Sequence, residues 1–118
     1  MRVKNYIFQE LKQFTGEGTF ETEWSDVSIS AEILAFVKLT AQGEYTDETL
    51  NISVQARSPD GDAIDLTEVK FNEIGNVLAF PLLGYLGFAG FGSQIRFKIV
   101  TTGTAPNYTF KLTGIGKR

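Results

Sequence analysis

The sequence predicts an all-β fold, an antiparallel β-sandwich or jelly roll of about seven to eight short strands. Three stretches alternate apolar and polar residues without a slip, and the links between strands carry Gly, Pro and Asp turn chemistry. Ten Phe, four Tyr and one Trp supply the aromatic content that strands favour. At 118 residues, 42% apolar and 21% charged, the chain has globular composition and the length of one domain. The expectation is a single β-sandwich over residues 1–118, with 1–14 as an N-terminal arm.

From the N-terminus, residues 3–14 fit two periods. Ile7, Leu11 and Phe14 lie on a helical stripe, but the β character of the remaining chain favours an extended arm or strand. Gly18-Thr19-Phe20-Glu21-Thr22-Glu23-Trp24 alternates weakly and reads as a strand. Residues 33–39 are apolar except for Lys38, the pattern of a central strand covered on both faces for part of its length. In Leu50-Asn51-Ile52-Ser53-Val54-Gln55-Ala56-Arg57 the alternation puts Leu50, Ile52, Val54 and Ala56 on one buried face. Ser58-Pro59-Asp60-Gly61-Asp62 then makes a tight turn, with Pro preset at φ of about −65° and Gly free to take positive φ. Gln94-Ile95-Arg96-Phe97-Lys98-Ile99-Val100 points Ile95, Phe97 and Ile99 inward, and Tyr108-Thr109-Phe110-Lys111-Leu112-Thr113 repeats the pattern. The link Thr102-Gly103-Thr104-Ala105-Pro106-Asn107 predicts that these last two strands form an antiparallel hairpin.

Composition narrows the chemistry. There is no Cys and no His, which removes thiolate ligands and nucleophiles, disulfides, and the commonest general base and metal ligand. The formal net charge of −3 lacks the basic footprint that nucleic acid requires. The opening Met1-Arg2-Val3-Lys4-Asn5 leads into mixed polar sequence without the apolar core of a secretory signal. Residues 77–92 are uncharged but fall short of the roughly 20 apolar residues that span a bilayer, and Pro81 and four glycines interrupt them. The expectation is a soluble protein that binds or assembles and catalyses nothing, with no cofactor, no metal and no membrane partner.

Four features carry the remaining chemistry. Asp60, Asp62 and Asp65, with Glu68 nearby, form an oxygen-rich loop that suits Ca²⁺ in composition. The spacing matches no EF-hand, and a solvated turn accounts for the residues better. Glu44, Asp47 and Glu48 form a second acidic loop; paired carboxylates serve as acid and base only where they face each other across a cleft. Trp24 suits either a core edge or a sugar-stacking platform. Phe80-Pro81-Leu82-Leu83-Gly84-Tyr85-Leu86-Gly87-Phe88-Ala89-Gly90-Phe91-Gly92 loses strict alternation and reads as something other than a half-exposed strand. It either plugs one end of the sandwich or presents an apolar contact surface.

Several runs resemble the small structural proteins of tailed-bacteriophage virions. The final part, Ile95 through Val100, then Thr101-Thr102-Gly103-Thr104-Ala105-Pro106-Asn107 and Tyr108 through Leu112, is similar to their ending: a basic strand, a Gly-Thr-x-Pro turn and an aromatic last strand. Leu39-Thr40-Ala41-Gln42-Gly43, Thr49 through Gln55, Ser58-Pro59-Asp60-Gly61 and Phe71-Asn72-Glu73-Ile74-Gly75 resemble the middle of the same group. Residues 82–92 depart from it, being longer and more apolar than its usual short link. The resemblance implies a capsid decoration (cement) protein on the outer head surface, stabilising the head by binding the major capsid protein and copies of itself as a homo-oligomer, a trimer among the options. It supplies no catalytic residues. The stretches that fit the strand pattern least are the contact candidates: Tyr6, Phe8, Leu11 and Phe14 in the arm, and Leu83, Tyr85, Leu86, Phe88 and Phe91 in the glycine-rich segment. The alternatives are a carbohydrate-binding β-sandwich module, a tail or head-fibre component, and a carboxylate hydrolase.

Overall fold

A computed structural model describes residues 3–118; residues 1 and 2 of the expected arm lie outside the described residues. Nine strands are formed among them: β1 (Val3–Thr15), β2 (Gly18–Glu21), β3 (Ser25–Asp26), β4 (Glu32–Gln42), β5 (Thr49–Arg57), β6 (Ala63–Lys70), β7 (Leu82–Ala89), β8 (Gln94–Thr102) and β9 (Asn107–Lys117). They make two antiparallel sheets. One runs β1-β9-β4-β7; the other runs β2-β8-β5-β6, with the short β3 also paired to β8. Position by position, sequence neighbours occupy opposite sheets: β1 with β2, β9 with β8, β4 with β5, β7 with β6. The chain is therefore a ribbon folded over on itself, the wrapping of a jelly roll.

Alternation accounts for the core. Ile33, Ala35, Val37 and Leu39 of β4 face Leu50, Ile52 and Val54 of β5, while Ile95, Phe97 and Ile99 of β8 face Tyr108, Phe110 and Leu112 of β9. All are buried, and most of them completely. Burying a side chain of this size contributes roughly 1.5–3 kcal/mol, so these four strands supply most of the hydrophobic stabilisation. Aromatic contacts extend the core to β1, where the Phe14 ring stacks on Phe110 with centroids 4.7 Å apart and Phe8 tilts against Phe97 at 4.9 Å.

Four readings of the sequence are corrected. Residues 3–14 take the strand option and are not the free arm or the helix: β1 pairs along β9 and contributes Tyr6, Phe8 and Phe14 to the core. Two bulges break its register, after Ile7 and after Gln9, which is why its apolar spacing mimics a helix. β4 is covered on one face only, since Leu34 and Lys38 are exposed while their neighbours are buried. β8 and β9 are not a hairpin. They lie in different sheets, because an alternating strand specifies which face is buried and not which strand lies beside it. Finally, residues 82–89 do form a half-exposed strand, β7, paired antiparallel to β4 from Leu39↔Leu82 to Glu32↔Ala89. Its alternation is hidden in the sequence because glycines stand on both faces.

The β5–β6 turn behaves as its residues require. Ser58 N–H donates to the Asp62 carbonyl at 2.8 Å, and Gly61 takes φ of 94°.

Candidate interaction surface

The registers of the first sheet place its outward residues in rows. Tyr85 of β7 lies beside Phe36 of β4, which lies beside Thr113 of β9, which lies beside Ile7 of β1. The next row runs Gly87, Leu34, Ile115, Asn5. Leu83 continues the apolar character along β7. Tyr85 is 76% exposed, Leu83 68% and Ile7 63%, and Leu34 and Ile115 are also exposed. One face of the sandwich thus carries a contiguous apolar patch across all four strands, bordered by Lys38, Lys111, Lys117 and Glu32. Monomeric proteins seldom leave such a patch uncovered.

The outer face of the second sheet is polar. Gln55 donates to Asp65 at 2.8 Å and accepts from Arg96 Nε at 2.8 Å, and Lys98 Nζ lies 3.8 Å from Asp65. Arg57 donates to Gln94 at 3.1 Å. These side chains already pair with one another across the face.

The structure sorts the nine contact candidates into three groups. Tyr6, Phe8, Phe14 and Phe91 are buried, which removes them from any contact surface: the pleat of β1 turns the first three inward, Phe91 follows β7 in the link to β8, and all four pack in the core. Leu86 and Phe88 are half-buried on the inner side of β7, packed against the same core. Leu83 and Tyr85 are exposed on the outer side, and Leu11 is exposed at the second bulge of β1. Sequence reasoning missed Ile7, Leu34, Phe36 and Ile115. Their signal is an apolar residue at the outward position of an alternating strand, as at Ile115 after Thr113.

The acidic loops have structural work. Glu48 is buried, and its carboxylate accepts from the backbone N–H groups of Thr46 at 2.6 Å, Asp47 at 3.3 Å and Ala105 at 2.9 Å. The backbone donors hold its pKa below the usual value of 4.5. Asp47 accepts from Thr104 N–H at 2.9 Å. Together they clasp the β4–β5 link to the β8–β9 link, two of the links that cross between the sheets. Among the described residues no cluster of three or more Asp or Glu is gathered closely enough to hold a metal ion. Asp65 is engaged by Gln55 and Lys98.

Trp24 is half-buried, with the Arg96 guanidinium 4.5 Å and that of Arg57 5.6 Å from the ring centroid. The arginines occupy the position over the ring that a stacked sugar would need.

No protein-family model matches the sequence, and no curated protein matches it. Solved structures share the fold. The VP2 subviral particle of infectious bursal disease virus superposes with a TM-score of 0.72 at 14% identity, over 97% of this chain and 32% of that one. A structure of the Gx strain of the same virus gives 0.68 at 14% identity with the same coverage, so the chain spans about a third of these proteins' length. The SPBc2 prophage-derived protein YomS gives 0.55 at 21% identity, over 98% of this chain and 92% of that one. The CBM22-1–GH10 modules of a Clostridium thermocellum xylanase, complexed with xylohexaose, also give 0.55, at 15% identity over 80% of this chain and 19% of that one. At these identities the likeness concerns the fold, and the fold is an all-β sandwich of two antiparallel sheets, like that of proteins that build virus particles.

Proposed function

We propose that the chain is a structural protein of a virion that works by association and not by catalysis, and that its place is the outer head surface as a decoration protein on the major capsid protein. The observation that carries this reading is the apolar face of the β1-β9-β4-β7 sheet, centred on Tyr85, Phe36 and Ile7. A rigid sandwich with one dry face and one polar face suits a protein that lies on a larger surface, dry side down, and exposes its polar side to water. The shared fold with viral capsid proteins and with a prophage protein of nearly the same length supports the virion setting.

Antibody raised against the purified protein should label intact particles of the source virus in electron micrographs, and the protein should co-sediment with them. Unlabelled particles, with the protein left in the soluble fraction, would contradict the proposal. Replacing Tyr85 with Lys should weaken particle binding at least tenfold, because a desolvated charge in the centre of a dry contact costs more than the ~1.4 kcal/mol that a factor of ten represents.

A further inference from the structure

Each sheet has two edges, and three of the four are protected against pairing with another chain. β1 carries two bulges and the charges of Lys4, Glu10 and Lys12. β6 is bulged between its pairings with Ser53 and Gln55, holds Glu68 at φ of 64°, and carries Asp65 and Lys70. β2 is four residues long and ends in Glu21. Bulges, charges and short length are the usual devices that block edge-to-edge association. β7 has none of them. It is eight residues long, pairs with β4 without a register shift, and lies in a charge-free run covering residues 77–92.

Gly87 adds a second, independent sign. A glycine in mid-strand weakens the strand, so its presence needs a reason. Positive φ accounts for Gly90 and Gly92, and the Val37 side chain, 3.0 Å from where a Cβ would stand, accounts for Gly84. Gly87 has neither reason. Its φ is ordinary, and a Cβ there would meet only Leu34 Cδ1 at 3.8 Å, an ordinary contact. Its own chain leaves that space open on the exposed side of the edge strand.

We propose that a second copy of this chain pairs antiparallel along β7, related by a two-fold axis at Leu86. The inference rests on the reading of this sheet as a contact surface. In a continuous sheet facing residues share a side, so the axis must pass at a residue and not between two. At Leu86, Tyr85 of each copy lies opposite Gly87 of the other, Phe88 opposite Gly84, and Leu83 opposite Ala89. Each bulky side chain off the axis then meets a glycine or alanine, and an aromatic ring covers the glycine that the monomer leaves bare. Centring the axis on Tyr85 instead sets the two tyrosines against each other. No charge is buried at the strand pair, and the apolar rows of the two copies join into one eight-stranded face.

Light scattering on the purified full chain should give twice the 13.1 kDa monomer mass as concentration is raised. Gly87→Lys, which the monomer has room to accept, should halve that mass without changing the circular dichroism. As a check independent of that variant, singly substituted Tyr85→Cys and Gly87→Cys proteins should form a covalent dimer when mixed under mild oxidation, and far less when kept apart. The chain has no other cysteine to confuse the result. A monomer at every concentration would overturn the pairing, as would a dimer that persists in Gly87→Lys and does not cross-link through 85 and 87. Particle labelling reads the virion role separately. A monomer found on particles removes the pairing and leaves that role, and a dimer absent from particles does the reverse.

Discussion

At the scale of single residues, Glu48 shows how a loop acid can hold a sandwich together. Its carboxylate is buried and receives backbone N–H groups from both crossing loops, which favours the charged form and lowers its pKa. A carboxyl whose folded pKa lies below its unfolded value of 4.5 adds stability that is fully present above pH 4.5 and is lost as pH falls through the folded value. The melting temperature should therefore drop on acidification below that point. Glu48→Gln, which keeps the shape but not the charge, should melt lower at neutral pH and show a shallower acid dependence. Equal acid slopes in the two proteins would remove Glu48 from this role. Gly103 tests the same clasp from the other side. It sits at φ of 110°, and a Cβ there would stand 2.7 Å from Glu48 Cα. Gly103→Ala combines strained backbone with a clash against main chain and should cost about 1–3 kcal/mol in denaturant melts.

At the scale of strands, β1 separates packing from contact. Tyr6, Phe8 and Phe14 are core residues, and Gly114 and Gly116 of the neighbouring β9 leave room for the Phe8 and Tyr6 rings. Deleting residues 1–14 should consequently abolish the cooperative melt itself, so loss of particle binding in that variant would carry no information about contact. Ile7→Lys touches only the exposed face and should keep the fold, with a stability change under about 0.5 kcal/mol. Phe110→Ala, in the closed core between β1 and β4, should cost about 3–5 kcal/mol. These elements also show what the sequence makes legible. β5, β8 and β9 alternate strictly, and their buried faces can be read directly from Leu50, Phe97 or Phe110. The acidic loop at 44–48 gives no sign in the sequence that Glu48 is buried, because the Ala105 N–H that completes its set of backbone donors lies 57 residues away in sequence. β7 is obscured because Gly84 and Gly87 stand where large residues would mark its two faces. The β8–β9 crossing is illegible for a deeper reason: periodicity reports faces, while the choice of neighbour depends on how the whole ribbon folds over.

At the scale of the whole molecule, the two outer faces differ in what they have left to offer. The β2-β8-β5-β6 face spends its charges internally, through Gln55, Asp65, Arg96 and Lys98. The β1-β9-β4-β7 face has apolar rows with no partner in their own chain, ending at an unprotected strand edge. This asymmetry yields a prediction about the kind of force involved. If the dry face makes the contact, association with particles should survive about 1 M salt, where the Debye length shrinks to roughly 3 Å and surface charge attraction is screened. Reversing charge on the polar face with Arg96→Glu and Lys98→Glu should leave that association within about twofold of the parent, because exposed charges away from a contact contribute little to it. Release by salt, or loss of binding in the charge-reversed protein with Tyr85→Lys still bound, would assign the contact to the polar face instead. Bulk apolar burial and backbone pairing at β7 are both insensitive to ionic strength. Salt titration of the parent therefore separates both from electrostatic docking, while Gly87→Lys, which also sets a charge in the outward row of that face, reads the paired edge only through the mass of the particle-free protein.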